Sequence, residues 1–253
     1  MSDSEPSPPT LTIERQRATI TLERPSKRNR IEPADITEIL GHCVTIAANP
    51  EIRVVVLRSR GPSWCSGYHL GALAEGERAE HSFGDLCDAI EAITVPTIAA
   101  LHGNVHGGGT DLAVSCDFRI GADHIVLAMP AARIGLQYYA SGLRRFVDRI
   151  GTDATKRLFL TAETVQATEL LRIGYCTELV PESGLEARVD ALANAISALA
   201  PDAVRATKAA IDQLGTGRAD LAAIEASHAR STRSPEHREA MAAMKEQRAP
   251  RFG

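Results

Sequence analysis

The stretch Leu101 to Ile120, LHGNVHGGGTDLAVSCDFRI, limits the possible folds more than any other. Just before it, PTIAAL (Pro96 to Leu101) is a short apolar run that reads as a buried strand. The chain turns at Gly103 and Asn104, meets three consecutive glycines, Gly107 to Gly109, and enters TDLAVSCD, whose apolar spacing opens a helix. Adjacent glycines let backbone approach a ligand with no Cβ in the way. The first N–H groups of a helix lack intrahelical acceptors and carry the positive end of its dipole. Donors placed in this way hold an oxyanion that forms during a reaction. Asp111 adds a carboxylate in the first turn. A flexible loop is also rich in glycine, and a first-turn Asp also serves as a plain helix stabiliser. The spacing is not that of a phosphate loop, because neither G-x-x-x-x-G-K-[ST] nor G-x-G-x-x-G occurs in this stretch.

Short strands alternate with helices elsewhere, which predicts an α/β body. TLTIE (Thr10 to Glu14) and ATITL (Ala18 to Leu22) read as a hairpin. Pro33 opens a helix running to about Asn49, with Ile36, Ile39, Leu40 and Val44 on one face. IRVVVLRS (Ile52 to Ser59) is a buried strand, followed by GPSWCSGYHL as a loop and a polar stretch to about Ser82. A helix over Asp85 to Ile93 leads into the strand at Pro96, and FRIGA (Phe118 to Ala122) and IVLA (Ile125 to Ala128) are further strands. From about Ser141 onward the pattern is largely helical, and from Pro201 no strand signal remains. The expected organisation is a core over 1–200, with 1–9 disordered, and a helical region over 201–253. Those last amphipathic helices need a partner surface, on the core or on a neighbouring subunit.

A chain of 253 residues at 44% hydrophobic buries a sizeable core. The net charge of −4 argues against a dedicated nucleic-acid surface, although local basic clusters suit a small phosphate-bearing molecule. Five scattered cysteines show neither C-x-x-C nor His/Cys ligand spacing, so no zinc site and no disulfide framework are expected. With no signal peptide in MSDSEPSPPT and no membrane-length apolar run, a cytoplasmic protein is expected.

A second loop repeats the strand–loop arrangement. SWCSGYHL, Ser63 to Leu70, follows the strand at Ile52, and Gly67 lets the Tyr68 N–H point inward. Two opposed backbone donors are what a thioester oxyanion needs. At this point the chain resembles the crotonase (enoyl-CoA hydratase/isomerase) superfamily. The resemblance rests on LERPSKRNRI, EIRVVVLRSRGPSWCSGYHL, PTIAALHGNVHGGGTDLAVSCDFRIGA, MPAARIGL, LTAETVQATELLRIGYCTELVP and REAMAAMKEQRAPRF, in family order from about residue 10 to the end.

The resemblance implies a spiral ββα core and a C-terminal helical region used in trimer packing, in a homotrimer or a homohexamer. It implies acyl-CoA thioester substrates, as in fatty acid metabolism, with an enolate intermediate held by the N–H groups of Tyr68 and Gly108. Coenzyme A enters as part of the substrate, and no separate cofactor or metal is expected. Backbone around Ser66, Gly67, His69 and Leu70 would line the adenine end of CoA, with Gly107 beside the thioester. Arg24, Lys27 and Arg28 are candidates for the CoA phosphates. Asp111 would be the acid/base.

Two departures from the family pattern bear on chemistry. Hydratases of the family place Glu two residues after the third glycine and a second Glu after a later Pro. Here these positions hold Asp111 and Ala131, which puts ordinary two-carboxylate hydration in doubt. Tyr138 and Tyr139 replace small residues, and Tyr138 falls where the methylmalonyl-CoA decarboxylase branch is similar in carrying Tyr. A phenol there either orients the acyl group, delivers a proton, or closes the pocket. His69 and His106 read first as structural or pocket-wall residues, Trp64 as core, and Cys65 as a thiol without a paired base. Three functions remain open: an enolate-forming hydratase/isomerase, a decarboxylase of a malonyl-type CoA thioester, and an acyl-CoA-binding protein with little turnover.

Overall fold

The computed structural model describes residues 7–71, 80–217 and 219–252. The expected disordered start therefore lies outside the described residues over 1–6, as does 72–79 of the polar stretch. The hairpin forms as β1 (Thr10–Glu14) and β2 (Arg17–Leu22), paired antiparallel. Pro33 opens α1 (Pro33–Ala48), whose Glu32 cap and Asp35 side chain satisfy each other's backbone N–H groups in a capping box. Ile36 and Ile39 are fully buried, but Val44, expected on the same face, is 71% exposed.

Three successive turns of chain then lay down one strand in each of two sheets. β3 (Val54–Ser59) is followed by β4 (Ser63–Cys65) and, after α2 (Phe83–Glu91), β5 (Thr97–Leu101) by β6 (Asn104–His106). After α3 (Gly108–Val114), β7 (Phe118–Ala122) is followed by β8 (Val126–Ala128). Next come α4 (Ala140–Thr161, kinked at Gly151), β9 (Thr164–Gln166), α5 (Ala167–Arg172), β10 (Glu178–Val180) and α6 (Leu185–Ser197). The larger sheet has the order β1-β2-β3-β5-β7-β10 and is parallel apart from the β1–β2 hairpin. The smaller has the order β4-β6-β8-β9, with only β8–β9 antiparallel.

A parallel strand covered on both faces has no polar side to show, which is why VVVLRS is almost continuously apolar. Val55 and Leu57 enter the main core, whereas Val54 and Val56 pack with Ile98, Ile120 and the α6 residues Leu185, Val189 and Ala193. This is the expected α/β class with ββα turns. Four details correct the sequence reading. Residues 63–65 and 104–106 are strands rather than loop and turn, and β9 and β10 interrupt the part expected to be largely helical. All four are three residues long, too short for a periodicity to register.

The chain ends in α7 (Pro201–Gly215), α8 (Leu221–Ser231) and α9 (Pro235–Lys245), with a single buried residue, Ala243, among them. Arg205 donates to the Pro50 and Ile52 carbonyls and Lys208 pairs with Asp117, which fixes α7 to the core. Ile211, Leu214, Leu221 and Met244 remain 54–69% exposed. Among the described residues no helix is long and apolar enough to cross a membrane.

Candidate active site

The smaller sheet brings the two glycine loops together. β4 and β6 are parallel neighbours, so the residues that follow them leave the sheet side by side. Gly67 has φ +91°, and a Cβ there would lie 2.7 Å from the Gly108 nitrogen and 3.0 Å from the His106 carbonyl oxygen. Glycine is required at 67 both for its conformation and for this backbone-to-backbone approach. Gly107, at φ +54°, donates to the Ala128 carbonyl at 2.9 Å and caps α3, leaving Gly108 as the first helical residue. On the other loop the Ile31 N–H donates to the Gly67 carbonyl and the His69 N–H to the Ile31 carbonyl. This parallel bridge directs the Tyr68 N–H away from Ile31, as strand alternation requires.

A cavity of ≈ 700 Å³ opens beside this junction. Tyr68, Leu70, Phe83, Gly107, Gly108, Met129, Ala131, Ile134, Tyr138 and Tyr139 are among its lining residues, and the wall is mainly apolar. Phe83, which the sequence reading did not single out, stands edge-on to Tyr68 with ring centroids 6.0 Å apart and covers Gly108. His106 also lines the cavity; burial, then the Arg28 charge, lower its pKa below the ordinary imidazole value. Among the described lining residues there is no Lys or Arg, while Glu80 and Asp85 supply carboxylates.

Asp111 is fully buried and is absent from the cavity wall. Its Oδ1 accepts from Arg145 Nε at 2.8 Å. Its Oδ2 accepts from the Tyr138 hydroxyl at 3.2 Å and from the Tyr139 hydroxyl in a shorter bond. The two phenol rings stack at 4.3 Å and form the wall between carboxylate and cavity. Burial first, and then nearby negative groups including Asp111, raise both phenol pKa values well above the ordinary range, so both hydroxyls stay protonated. Arg145 is itself fully buried and reaches Glu91 at 2.6 Å and Asp88 at 3.1 Å on α2. Burial opposes its charge, but Asp111, by charge and by hydrogen bond, holds the guanidinium pKa above its usual value.

The remaining predicted residues divide. Ser66, Tyr68, Leu70, Gly107, Gly108, Ala131, Tyr138 and Tyr139 share the cavity. Arg24, expected at the CoA phosphates, is instead turned onto Asp35 with bonds of 2.8 and 2.9 Å. His69 is turned onto Glu32, Nδ1 to Oε2 2.6 Å, and does not line the cavity. Lys27 and Arg28 are exposed, and their carbonyls accept from Ser66, which ties that basic turn to the Gly67 loop. Trp64 and Cys65 are fully buried, and burial pushes the Cys65 thiol up to about 12. Glu163 and Glu169 pair with Arg157, away from the cavity.

Comparison with known proteins points to one family. A family model described as Enoyl-CoA hydratase/isomerase matches residues 12–253. The human enoyl-CoA hydratase domain-containing protein 2, mitochondrial, is 33% identical over 247 residues, covering 92% of this chain and 84% of its own. The short-chain-enoyl-CoA hydratase of Clostridium acetobutylicum is 30% identical over 202 residues, covering 78% of this chain and 77% of its own. An enoyl-CoA hydratase/carnithine racemase from Magnetospirillum magneticum superposes with TM-score 0.90 at 26% identity, over 98% of this chain and 96% of that one.

Proposed function

The chain belongs to the enoyl-CoA hydratase/isomerase family, and from that premise we propose that it converts an apolar acyl-CoA thioester through an enolate. The observation that carries this reading is the backbone contact of Gly67 with Gly108 at the head of an apolar cavity. The N–H groups of Tyr68 and Gly108 then grip the thioester oxygen as negative charge develops on it. Asp111, one turn into the helix that Gly108 begins, is the group that stores the transferred proton. A CoA phosphate end near Lys27 and Arg28 agrees with the exposure of those cations.

Decarboxylation of a malonyl-type thioester is the second reading. Ala131 and Tyr138 favour it, because loss of carbon dioxide leaves an enolate that needs only one proton. Against it, a substrate carboxylate would meet Glu80 and Asp85 and no Lys or Arg among the described lining residues. A protein that binds acyl-CoA with little turnover ranks third. The trimer or hexamer belongs to the same proposal: the exposed apolar residues of α7–α9 suit burial against another copy. A light-scattering mass of one chain would overturn that part.

A mass-spectrometric screen of enoyl-, β-hydroxyacyl- and malonyl-type CoA thioesters separates the three readings. Butyryl-CoA should bind saturably in calorimetry, and replacing Lys27 and Arg28 with Gln should weaken binding by about fivefold per charge, the scale of an exposed ion pair. Absence of binding up to millimolar ligand sinks all three. Hydration of crotonyl-CoA should be weak, since Ala131 on the cavity wall offers no second base to water. Ala131→Glu should raise hydration by on the order of 10²-fold, the low end of acid–base assistance. Efficient hydration by the unaltered protein, at or above a median kcat of about 10 s⁻¹, contradicts the importance of that position.

A further inference from the structure

We infer that the Tyr139 hydroxyl is the proton relay between the acyl α-carbon and Asp111, an assignment that rests on the enolate reading. The argument begins with what Asp111 does not do. It is fully buried, lies behind the cavity wall, and has both oxygens engaged, so no substrate atom reaches it without moving a ring. Arg145 occupies Oδ1, which leaves Oδ2 as the oxygen that faces the phenols. Of the two tyrosines, Tyr138 is the deeper, at 9% exposure, with its hydroxyl 3.2 Å from Oδ2 and 3.3 Å from the Tyr139 oxygen. Tyr139 is half-buried, lines the cavity, and makes the shorter bond to Oδ2. Both phenols donate to Oδ2 from the cavity wall, and Tyr139 is the more exposed of the two.

The electrostatics then fix how such a group works. A tyrosinate beside Asp111 in this buried setting is strongly disfavoured, as the raised pKa of Tyr139 records. Tyr139 therefore neither keeps an extra negative charge nor acts as a final proton source. It passes a proton through. In the forward step the α C–H bond breaks, and its electron pair moves into the thioester to give the enolate oxyanion. The α-proton bonds to the Tyr139 oxygen while the hydroxyl proton moves along the existing hydrogen bond to Asp111 Oδ2. Tyr139 stays neutral and Asp111 becomes the carboxylic acid. The reverse sequence returns a proton to the same or another carbon of the enolate, so protons and electrons balance without an added reagent.

Exchange of the α-protons of butyryl-CoA in heavy water, followed by mass spectrometry, reads this step without knowledge of the natural substrate. Tyr139→Phe keeps the ring and removes the relay atom. It should cut exchange by about 10²-fold or more while calorimetric affinity for butyryl-CoA stays within a few-fold. Asp111→Asn should cause a similar loss, and the double variant should lose little more than either single one, because both changes break one chain. Exchange that survives Tyr139→Phe, or losses that multiply in the double variant, overturns the relay and leaves the enolate reading intact. Binding of butyryl-CoA without any exchange by the unaltered protein overturns the enolate reading and the relay with it.

Discussion

Arg145→Met should destabilise the protein by about 3–5 kcal/mol, the cost of removing one partner from a buried ion pair. The guanidinium and Asp111 are both fully buried, 2.8 Å apart, and the methionine side chain cannot donate to the carboxylate. The Asp88 side chain is 47% exposed and that of Glu91 22%, so these partners recover solvation that Asp111 cannot. Most of the loss therefore belongs to the buried carboxylate. Urea unfolding should show a lower midpoint with an unchanged slope. Combining Arg145→Met with Asp111→Asn should recover a large part of the loss, because the uncompensated charge is gone. A single-variant loss below about 1 kcal/mol would mean that the pair is solvated like a surface pair.

Gly67→Ala should lower turnover of an acyl-CoA thioester by about 10²–10³-fold, the range for loss of one oxyanion donor. The new methyl would meet the Gly108 nitrogen at 2.7 Å and the His106 carbonyl at 3.0 Å, both backbone atoms, so the two loops must separate. A positive φ adds strain of about 1–3 kcal/mol for a non-glycine residue. Gly151→Ala separates the two causes, since Gly151 has φ +78° with nothing within 4 Å of its would-be Cβ. It should cost stability through strain and leave turnover unaltered. Turnover in Gly67→Ala equal to that of the unaltered protein would remove the loop junction from the mechanism.

How much of this was readable in the chain differs between backbone and side chains. β3 and β5 declared themselves because a strand covered on both faces must be apolar throughout, and α1 by its opening proline and 3.6-residue pattern. The glycine loops were legible because close backbone approach leaves few residue choices. The bond from Arg145 to Asp111 spans 34 residues of sequence and joins two helices. Local spacing carries no trace of it. Arg24 misled in the same way: a cation in a basic turn resembles a phosphate ligand until Asp35, 11 residues on, is seen to hold it. Asn29, missed as a structural pin, donates to the Arg60 and Ser63 carbonyls and accepts from the Arg24 N–H.

The pairing of β4 with β6 has a consequence for how the site can change over time. On the enolate reading the carbonyl grip is main chain, and its spacing is set by neighbouring strands of one sheet. The side chains that this reading assigns to proton handling sit on the helix that Gly108 begins and in the turn ahead of α4. On the enolate reading, substitutions at 131, 138 and 139 change what happens to the acyl carbon without touching the main-chain donors that hold its oxygen. On that reading, the reaction is open to change by exchange of a few side chains while the main-chain hold on the substrate oxygen stays in place.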